Sequence, residues 1–301
     1  MGKKIYNGTL RKKGQVYIGD YDSSEKPHGY GKLIDKDGNW YEGDWEYGKQ
    51  NGYGTSVCYE GTYRGHFSNG KYSGKGQFVF RDGDVYEGNF ENGQPEGMGI
   101  YRYHNGKQYE GQFHKGKFSG VGKCFYPDGC FYDGQWKGGE REGKGILTYK
   151  GGDRYEGEFF LNQPDGKGVY TWADGSYYDG EWNSGNMHGE GTLVNGNGTY
   201  VGKFKKDKKC GRGKMEYSTG VVYDGEWKDD KRNGYGRMQY TGGVYEGEWK
   251  NDVKSGHGFY RWNDGDAYEG EWQNDMKEGM GTVTLANGTR FTARFSRDRK
   301  I

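Results

Sequence analysis

The sequence has few of the residues that fill an ordinary protein core. Only 31% of its 301 residues are hydrophobic, and its mean hydropathy is −1.21. It has four cysteines and four prolines, and no apolar run is long enough for a signal peptide or a membrane-spanning helix. Because no secretory signal is visible, we expect the cysteines to be reduced thiols in the cytoplasm.

The chain also lacks an excess of charge of either sign. Its 44 lysines and arginines face 43 aspartates and glutamates, a formal net charge of +1, so no global field draws it to nucleic acid or to a membrane. Low hydrophobicity and 61 glycines are typical of disorder. However, aromatic residues make up 17% of the chain and return at a fixed interval. Since each ring buries a large area, the sequence predicts a folded protein.

One motif accounts for almost the whole sequence. It is Tyr-x-Gly-x-aromatic followed by Gly-x-Gly, as in Tyr223–Trp227 followed by Gly234 and Gly236. Successive motif tyrosines are 22 or 23 residues apart, with a single step of 24. This period predicts one repeat array rather than two ordinary domains. The motif tyrosines are Tyr17, Tyr41, Tyr63, Tyr86, Tyr109, Tyr132, Tyr155, Tyr178, Tyr200, Tyr223, Tyr245 and Tyr268.

Within a repeat, side chains alternate with a period of two, which is typical of β-strands. In Tyr86–Phe90, the tyrosine, glycine and phenylalanine share one face. A three-residue loop at Arg81–Gly83, with glycine in the left-handed position, would pair Phe78 with Tyr86 and Gly76 with Gly88. In repeats one residue shorter, two-residue loops at 196–197 and 241–242 keep the same register. Each repeat is therefore predicted to be a β-hairpin.

This register predicts an all-β fold, an elongated single-sheet antiparallel β-meander solenoid. The motif glycines would form a column between a tyrosine column and a Trp/Phe column. We expect the sheet to bend along the glycines and to close the aromatic rings into a narrow core. At about 4.8 Å per strand the array would be about 110 Å long. The predicted organisation is a half-repeat cap at 1–16, twelve repeats at 17–290, and a C-terminal half-repeat with a basic tail at 291–301.

These residues resemble the MORN-repeat family, whose signature is close to Tyr-x-Gly-x-Trp/Phe followed by Gly-x-Gly. The resemblance covers roughly residues 17–295. Departures are few: Tyr21 and Phe67 replace tryptophan, and Val201 replaces the usual acid. The resemblance implies an elongated scaffold of the kind found in cytoskeletal and ciliary assemblies, at membrane junctions, or attached to enzymes. Relatives that are kinases or methyltransferases carry a separate catalytic domain, which this chain does not show.

No motif predicts a catalytic, cofactor or metal site. Gly138–Lys144 has the spacing of a phosphate-binding loop, but Gly145 stands where serine or threonine is needed, and no strand-to-helix context surrounds it. The six histidines have no metal-ligand spacing. A row of acidic residues follows the motif tyrosines, and we interpret it as a solvated outer face or a partner-binding stripe. The row is Glu42, Glu87, Glu110, Asp133, Glu156, Asp179, Asp224, Glu246 and Glu269.

Basic residues cluster in three places, at 3–13, 203–214 and 290–300. One interpretation is that the terminal clusters are charged caps against end-to-end sheet pairing and that the middle cluster is a solvated turn. The other is that the middle cluster docks an acidic partner, either anionic lipid or an acidic protein surface. Its candidate docking residues are Lys203, Lys205, Lys206, Lys208, Lys209, Arg212 and Lys214.

We therefore predict a non-enzymatic structural scaffold that docks proteins in a cytoskeletal assembly, with the ciliary or flagellar axoneme as the expected location. The placement rests on the family resemblance. The alternative is a peripheral membrane adaptor that binds anionic phospholipids through its basic turns. Protein partners are expected and nucleic acid is not. Self-association, end to end or as a homodimer, stays open.

Overall fold

The computed structural model describes residues 4–301, which form 27 β-strands joined by turns. Within this range there is no helix long and apolar enough to cross a membrane. The chain divides into two compact units, the first ending at Lys150 and the second beginning at Gly151. In each unit every strand is antiparallel to the next along the chain, so the predicted all-β antiparallel meander is confirmed.

The first unit contains strands β1 to β13. Its β1 places Gly8 opposite Gly19 and Leu10 opposite Tyr17, which is the register of a second hairpin strand. The strands are β1 Tyr6–Lys12, β2 Gln15–Tyr21, β3 Pro27–Ile34, β4 Trp40–Glu46, β5 Lys49–Cys58, β6 Gly61–Ser68, β7 Lys71–Phe80, β8 Val85–Glu91, β9 Gln94–Arg102, β10 Gln108–His114, β11 Lys117–Phe125, β12 Phe131–Lys137 and β13 Glu140–Thr148.

The second unit contains strands β14 to β27. Near its end, Ala293 of β26 pairs with Gly281 at the position of a motif glycine. The strands are β14 Arg154–Phe160, β15 Gln163–Thr171, β16 Tyr177–Asn183, β17 Asn186–Asn195, β18 Gly198–Lys205, β19 Lys208–Tyr217, β20 Val222–Lys228, β21 Lys231–Tyr240, β22 Gly243–Lys250, β23 Val253–Trp262, β24 Ala267–Gln273, β25 Met276–Thr284, β26 Arg290–Ser296 and β27 Arg299–Lys300.

The hairpin register agrees with the prediction from turn chemistry. Across the loop at 81–83, Phe78 pairs with Tyr86 and Gly76 with Gly88. Across the shorter loop at 241–242, Met238 pairs with Tyr245. The one-residue difference is absorbed in the loop because a slip would turn every core side chain to the opposite face.

The predicted glycine column is present, and the ladder is irregular beside it. Gly88 pairs with both Gly76 and Gly99. Two positions further on, the register has shifted, and Phe90 pairs with Pro95 rather than with Gly97. The extra residues on the second strand form a bulge in which Gly97 has φ +68°. Bulges bend a strand and increase its twist, so the strand bends beside the glycines.

The motif tyrosines form the core, and their hydroxyl groups are satisfied by backbone. Tyr86 is fully buried and donates a 2.8 Å hydrogen bond to the carbonyl of Asn89. In the second unit, Tyr245 donates to the carbonyl of Glu248 at 2.9 Å. Each motif tyrosine, from Tyr17 to Tyr268, makes this bond to the residue three positions later. The hydroxyl group of each motif tyrosine therefore finds its hydrogen-bond partner within its own repeat.

Tryptophan or phenylalanine rings join one repeat to the next. The Tyr223 ring lies edge-to-face with Trp227 of its own repeat at 5.2 Å between centroids, and with Trp249 of the next repeat at 5.4 Å. Edge-to-face pairs are favourable beyond the area they bury. In addition, the Trp249 indole N–H donates to the carbonyl of Gly236 at 3.1 Å. The result is an alternating ladder of tyrosine and tryptophan rings.

Glycine is required where the second motif strand crosses the tyrosine ring. A Cβ atom added to Gly99 would lie 2.5 Å from the Tyr86 hydroxyl oxygen, and one added to Gly258 would overlap the Tyr245 ring in the same way. Carbon and oxygen atoms that are not bonded do not approach this closely. The glycine column therefore exists because the ring and the backbone of the neighbouring strand are in direct contact.

Candidate partner-docking surfaces

The outer face of the sheet, opposite the motif tyrosines, carries exposed apolar side chains in the first unit. They stand at the middle position of Gly-x-Gly. Tyr30, Tyr53, Met98 and Val121 are each more than half exposed. Lys75 holds the same position between Tyr53 and Met98, so the apolar side chains come in two adjacent pairs. Neighbouring exposed apolar side chains with polar groups around them are typical of interaction sites.

A cleft of about 650 Å³ lies among these side chains, and we call it the glycine trough. Its floor is the backbone of Gly65, Gly76, Gly88 and Gly99. Two of its wall side chains are apolar and more than half exposed, Tyr53 on β5 and Met98 on β9. Charged and polar groups complete the lining: Arg64, His66, Lys75, Gln77, Glu87, Asn89 and Glu110, with Ile100 as a further apolar contact.

The side chain just before the motif aromatic accepts a hydrogen bond from the backbone N–H of the Gly-x-Gly middle residue on the outer face. The Asp44 carboxylate accepts the backbone N–H of Tyr53 at 2.9 Å, and the Gln112 amide oxygen accepts that of Val121 at 3.0 Å. In the second unit, Glu226 accepts the N–H of Tyr235 at 3.0 Å. Alternation along the strand places these residues on the face opposite the motif tyrosines, but it predicts no hydrogen bond for them. The signal that could have found them is that most repeats have Asp, Asn, Glu or Gln at this position.

The acidic row lies on the outer face, as predicted. Its members are exposed or half-buried, and some form ion pairs with basic side chains of the same face. Asp133 lies 3.6 Å from the Lys123 ammonium, and Glu156 lies 2.6 Å from the Arg154 guanidinium. Exposed pairs of this kind contribute little to stability. Two members of the row, Glu87 and Glu110, also line the glycine trough.

The structure distributes the seven candidate basic residues over three surfaces. Lys205, Lys206 and Lys208 are exposed at the turn between β18 and β19. The other exposed candidates lie on the outer face: Lys203, Arg212 and Lys214. Of these, Lys203 lies 3.9 Å from Glu190 and Lys214 lies 2.5 Å from Glu216. The run that is continuous in sequence is therefore not one continuous basic patch.

Lys209 faces the aromatic core. It pairs across the hairpin with Phe204, and we call this place the covering position of a repeat. Its ammonium lies 5.4 Å from the centre of the Tyr200 ring and 5.1 Å from that of Trp227. Burial lowers the pKa of the Lys209 ammonium, partly offset by Asp230 and Asp252. The charge of this residue is engaged in cation–π contacts and does not face an external partner.

One cluster of possible metal ligands was missed in the sequence. The side-chain ligand atoms of Asp82, Asp84 and His104 lie within 4.8 Å of one another. Burial alone would raise the pKa of the Asp84 carboxyl, but hydrogen bonds from the His104 backbone and ring and from the Tyr101 hydroxyl together lower it. Asp153 and Asp266 bond the next turn in the same way without a histidine. The shared role of this aspartate is to connect consecutive turns.

A family model for the MORN repeat matches most of the chain, in twelve segments that correspond to the hairpins described above. The chain belongs to the MORN-repeat family. The matched residues are 26–40, 41–62, 63–85, 86–108, 109–131, 132–154, 155–177, 178–199, 200–222, 223–244, 245–267 and 268–290. MORN repeats imply a repeat scaffold that binds proteins or membranes.

Other similarities are remote. No curated protein matches the chain. Among solved structures, a mutant TCP10 domain of Danio rerio CPAP has 12% identity and a TM-score of 0.33, covering 73% of this chain and 99% of that domain. The TCP domain of Drosophila melanogaster SAS-4, in complex with a proline-rich motif of Ana2, has 13% identity and a TM-score of 0.30, with coverage of 59% and 85%. Scores this low do not transfer the partners of those proteins to this one.

Proposed function

We propose that this MORN-repeat protein is a non-enzymatic scaffold and that partner proteins dock in the glycine trough of its first unit. One observation carries the proposal: Tyr53 and Met98 are more than half exposed beside a cleft floored by glycine backbone. The aromatic face is occupied by core packing, so the outer face is the surface left for recognition. Exposed apolar walls around polar groups are the usual composition of an interaction site.

The proposed setting is a cytoskeletal assembly in the cytoplasm, with the ciliary or flagellar axoneme as the location to test first. Support comes from the family, because MORN repeats occupy residues 26–290 and such repeats act as scaffolds. The trough adds a reason to expect protein rather than small-molecule partners. It is open along the outer face and borders six successive strands, β5 to β10.

The experiment uses the tagged protein in its own cells, extracted with detergent and with high salt and then cross-linked. We expect it to remain in the insoluble cytoskeletal fraction and to cross-link to filament proteins. The variant Tyr53→Asp/Met98→Asp should lose most of these cross-links because it places charge on both apolar walls. The matched control is Tyr235→Asp/Met280→Asp, which changes two Gly-x-Gly middle residues that are equally exposed in the second unit.

The outcomes separate the two parts of the proposal. Equal loss or equal retention of cross-links in both variants would remove the trough as the docking site. A uniformly soluble wild-type protein, with no cytoskeletal fraction, would remove the cytoskeletal placement.

A peripheral membrane adaptor is the second candidate. It is favoured by Lys205, Lys206 and Lys208, which are exposed together at one turn. It predicts salt-sensitive pelleting with anionic liposomes, lost when these three lysines are changed to glutamate. Lys209 is left unchanged in that variant because its charge packs against the core. Equal pelleting of wild type and variant would count against this candidate.

A further inference from the structure

Three consecutive turns of the second unit place six exposed lysines along one border of the sheet. These turns join β18 to β19, β20 to β21 and β22 to β23. The lysines are separated by up to 45 positions in sequence, and only the hairpin register brings them together. We call them the lysine edge: Lys205, Lys206, Lys208, Lys228, Lys231 and Lys250.

Most carboxylates of the same turns are turned away from the lysines. Asp207, Asp230 and Asp252 each accept a backbone N–H of the preceding repeat, at 2.8 to 2.9 Å. Asp229 is the exception, with its carboxylate 4.0 Å from the Lys208 ammonium. The edge therefore presents ammonium groups outward, while the bonded acids support the fold.

Between two of these turns the edge is concave. A cleft of about 710 Å³ opens there. The residues that line it lie on β20 to β23 and in the turns between these strands. Two acids also line it, Asp229 and Glu248, and Glu248 accepts the backbone N–H of His257 at 3.1 Å. The other polar side chains are Lys228, Lys231, Lys250, Asn233, Asn251 and Ser255.

We propose that the lysine edge docks an extended acidic segment of a partner protein. At about 4.8 Å per strand, neighbouring turns lie about 10 Å apart, so the three turns span about 20 Å. An extended segment of about six residues covers this length. Its carboxylates would meet the ammonium groups, and its backbone would meet the amide side chains Asn233 and Asn251 in the cleft.

The same features favour a polypeptide over a membrane surface. A cleft admits a chain, whereas a flat lipid surface would contact only its rim. The large rings at these turns are buried: Phe204, Trp227 and Trp249 are each at most 5% exposed. They offer nothing to insert among lipid chains, and insertion is the usual complement to lysine contacts on peripheral proteins. The lysine edge shares no residue with the glycine trough, so those two proposals stand or fall separately. It shares Lys205, Lys206 and Lys208 with the membrane candidate, and the vesicle measurement below distinguishes the two.

The test measures fluorescence anisotropy of a labelled peptide of about twelve residues with alternating glutamate and threonine, using the full-length protein. We expect saturable binding at about 0.1 M salt that weakens as salt increases. The variant Lys228→Glu/Lys231→Glu/Lys250→Glu should weaken binding at least tenfold. The matched control, Lys167→Glu/Arg212→Glu/Arg237→Glu, makes the same charge change on the outer face of the same unit and should stay within twofold.

A second set of measurements keeps the result decisive. The corresponding glutamine triple variant at 228, 231 and 250 replaces the glutamate variant if circular dichroism shows that the latter is unfolded. Vesicles with about one fifth phosphatidylserine provide the membrane arm. Absence of peptide binding, equal weakening by edge and control variants, or vesicle binding in place of peptide binding would each overturn the proposal.

Discussion

The two units cover the same aromatic core with different side chains. In the first unit the covering position holds uncharged residues in four successive repeats, Gln50, Tyr72, Pro95 and Phe118, before Arg141. The Phe118 ring stacks flat on Tyr109 with centroids 3.7 Å apart. In the second unit, after Pro164 and Met187, the last five covering residues are all cations: Lys209, Arg232, Lys254, Lys277 and Lys300.

Lys254 illustrates the second arrangement. Its ammonium lies within 5.4 Å of the centres of four rings, at 4.6 Å from Trp272 and 4.9 Å from Tyr260. A cation over an aromatic face is attracted by the ring quadrupole, while the methylene stem covers apolar surface. The comparison shows that the core requires a cover over each tyrosine and accepts either a ring or a cation in that place.

The turns that precede the covering positions also differ between the two units. The second turn residue in the first unit is glycine from Gly48 to Gly139, at positive φ. In the last five turns of the second unit it is aspartate in the same left-handed region, for example Asp252 at φ 72°. Aspartate adopts this region at a cost, and the Asp252 carboxylate offsets it by accepting the Arg232 N–H at 2.9 Å. The aspartate thus connects its turn to the preceding repeat.

The largest expected effect is unfolding at alkaline pH, which depends on a feature that both units share, the burial of neutral tyrosines. Burial raises the pKa of Tyr132 in the first unit and of Tyr268 in the second to about 12. Because the folded-state pKa lies above the unfolded value of about 10, the neutral tyrosine stabilises the folded protein fully below pH 10. This stabilisation is lost as the pH rises toward 12. Ionisation of each tyrosine lowers the free energy of unfolding by at most about 1.4 kcal/mol per pH unit. We expect cooperative alkaline unfolding, measured by tyrosinate absorbance and circular dichroism.

The lysines of the second unit act in the opposite direction. Burial lowers the pKa of Lys209 and Lys254, so the unfolded state binds more protons and stability rises with pH over their titration. A Lys254→Met variant should therefore lose stability more steeply with pH than wild type. If wild type and the Lys254→Met variant lose melting temperature equally between pH 9 and 12, the direction assigned to the lysine is wrong, and if the variant loses none, the direction assigned to the tyrosines is wrong.

The next effect also concerns both units. Gly99→Ala and Gly258→Ala should each destabilise by about 3 kcal/mol, because the new methyl group overlaps a buried tyrosine ring. The control is Gly242→Ala, where an added Cβ meets nothing within 4 Å. Urea denaturation monitored by tryptophan fluorescence measures the difference. If the control and the core variants are equally affected, the close approach of ring and backbone is not the reason for the glycine column.

A third experiment separates the two kinds of cover. Phe118→Ala removes a stacked, half-buried ring and should cost about 2–3 kcal/mol, at or below the range for fully buried phenylalanines. Lys254→Ala removes a cation and its stem and should cost about 1–2 kcal/mol. Lys254→Phe, which copies the first unit, should restore most of that loss in the same urea assay. A larger loss for the lysine than for the phenylalanine variant would reverse the comparison.

The smallest effect lies in the turns. Asp252→Gly relieves the left-handed backbone but loses the bond to Arg232, so stability should change by less than about 1 kcal/mol. Asp252→Ala loses the bond and keeps the strain, and should cost about 1–2 kcal/mol more than the glycine variant. Hydrogen exchange of the Arg232 amide reports the bond directly. Equal stability of the two variants would mean that the turn conformation carries no strain.

The fold could be predicted from the sequence because its signals are local and repeated. Alternation of Tyr86, Gly88 and Phe90 gives the face, and turn chemistry at 81–83 gives the register. The candidate docking surfaces could be predicted only in part. The basic run at 203–214 is continuous in sequence, but its strand alternation and turn send Lys208 and Lys209 to different surfaces. Lys228 and Lys250 join Lys208 only through pairing between strands, which no sequence window contains.

Within a unit, a motif tyrosine contacts its own repeat and the next one, as Tyr223 contacts Trp227 and Trp249. Within a unit, a force or a lesion is therefore felt one repeat away and little further. A repeat array with this contact pattern unfolds stepwise rather than in one cooperative event. Under load we expect hairpins to peel off singly, with a sawtooth of similar small steps, and to re-form on the exposed ring of the last intact repeat.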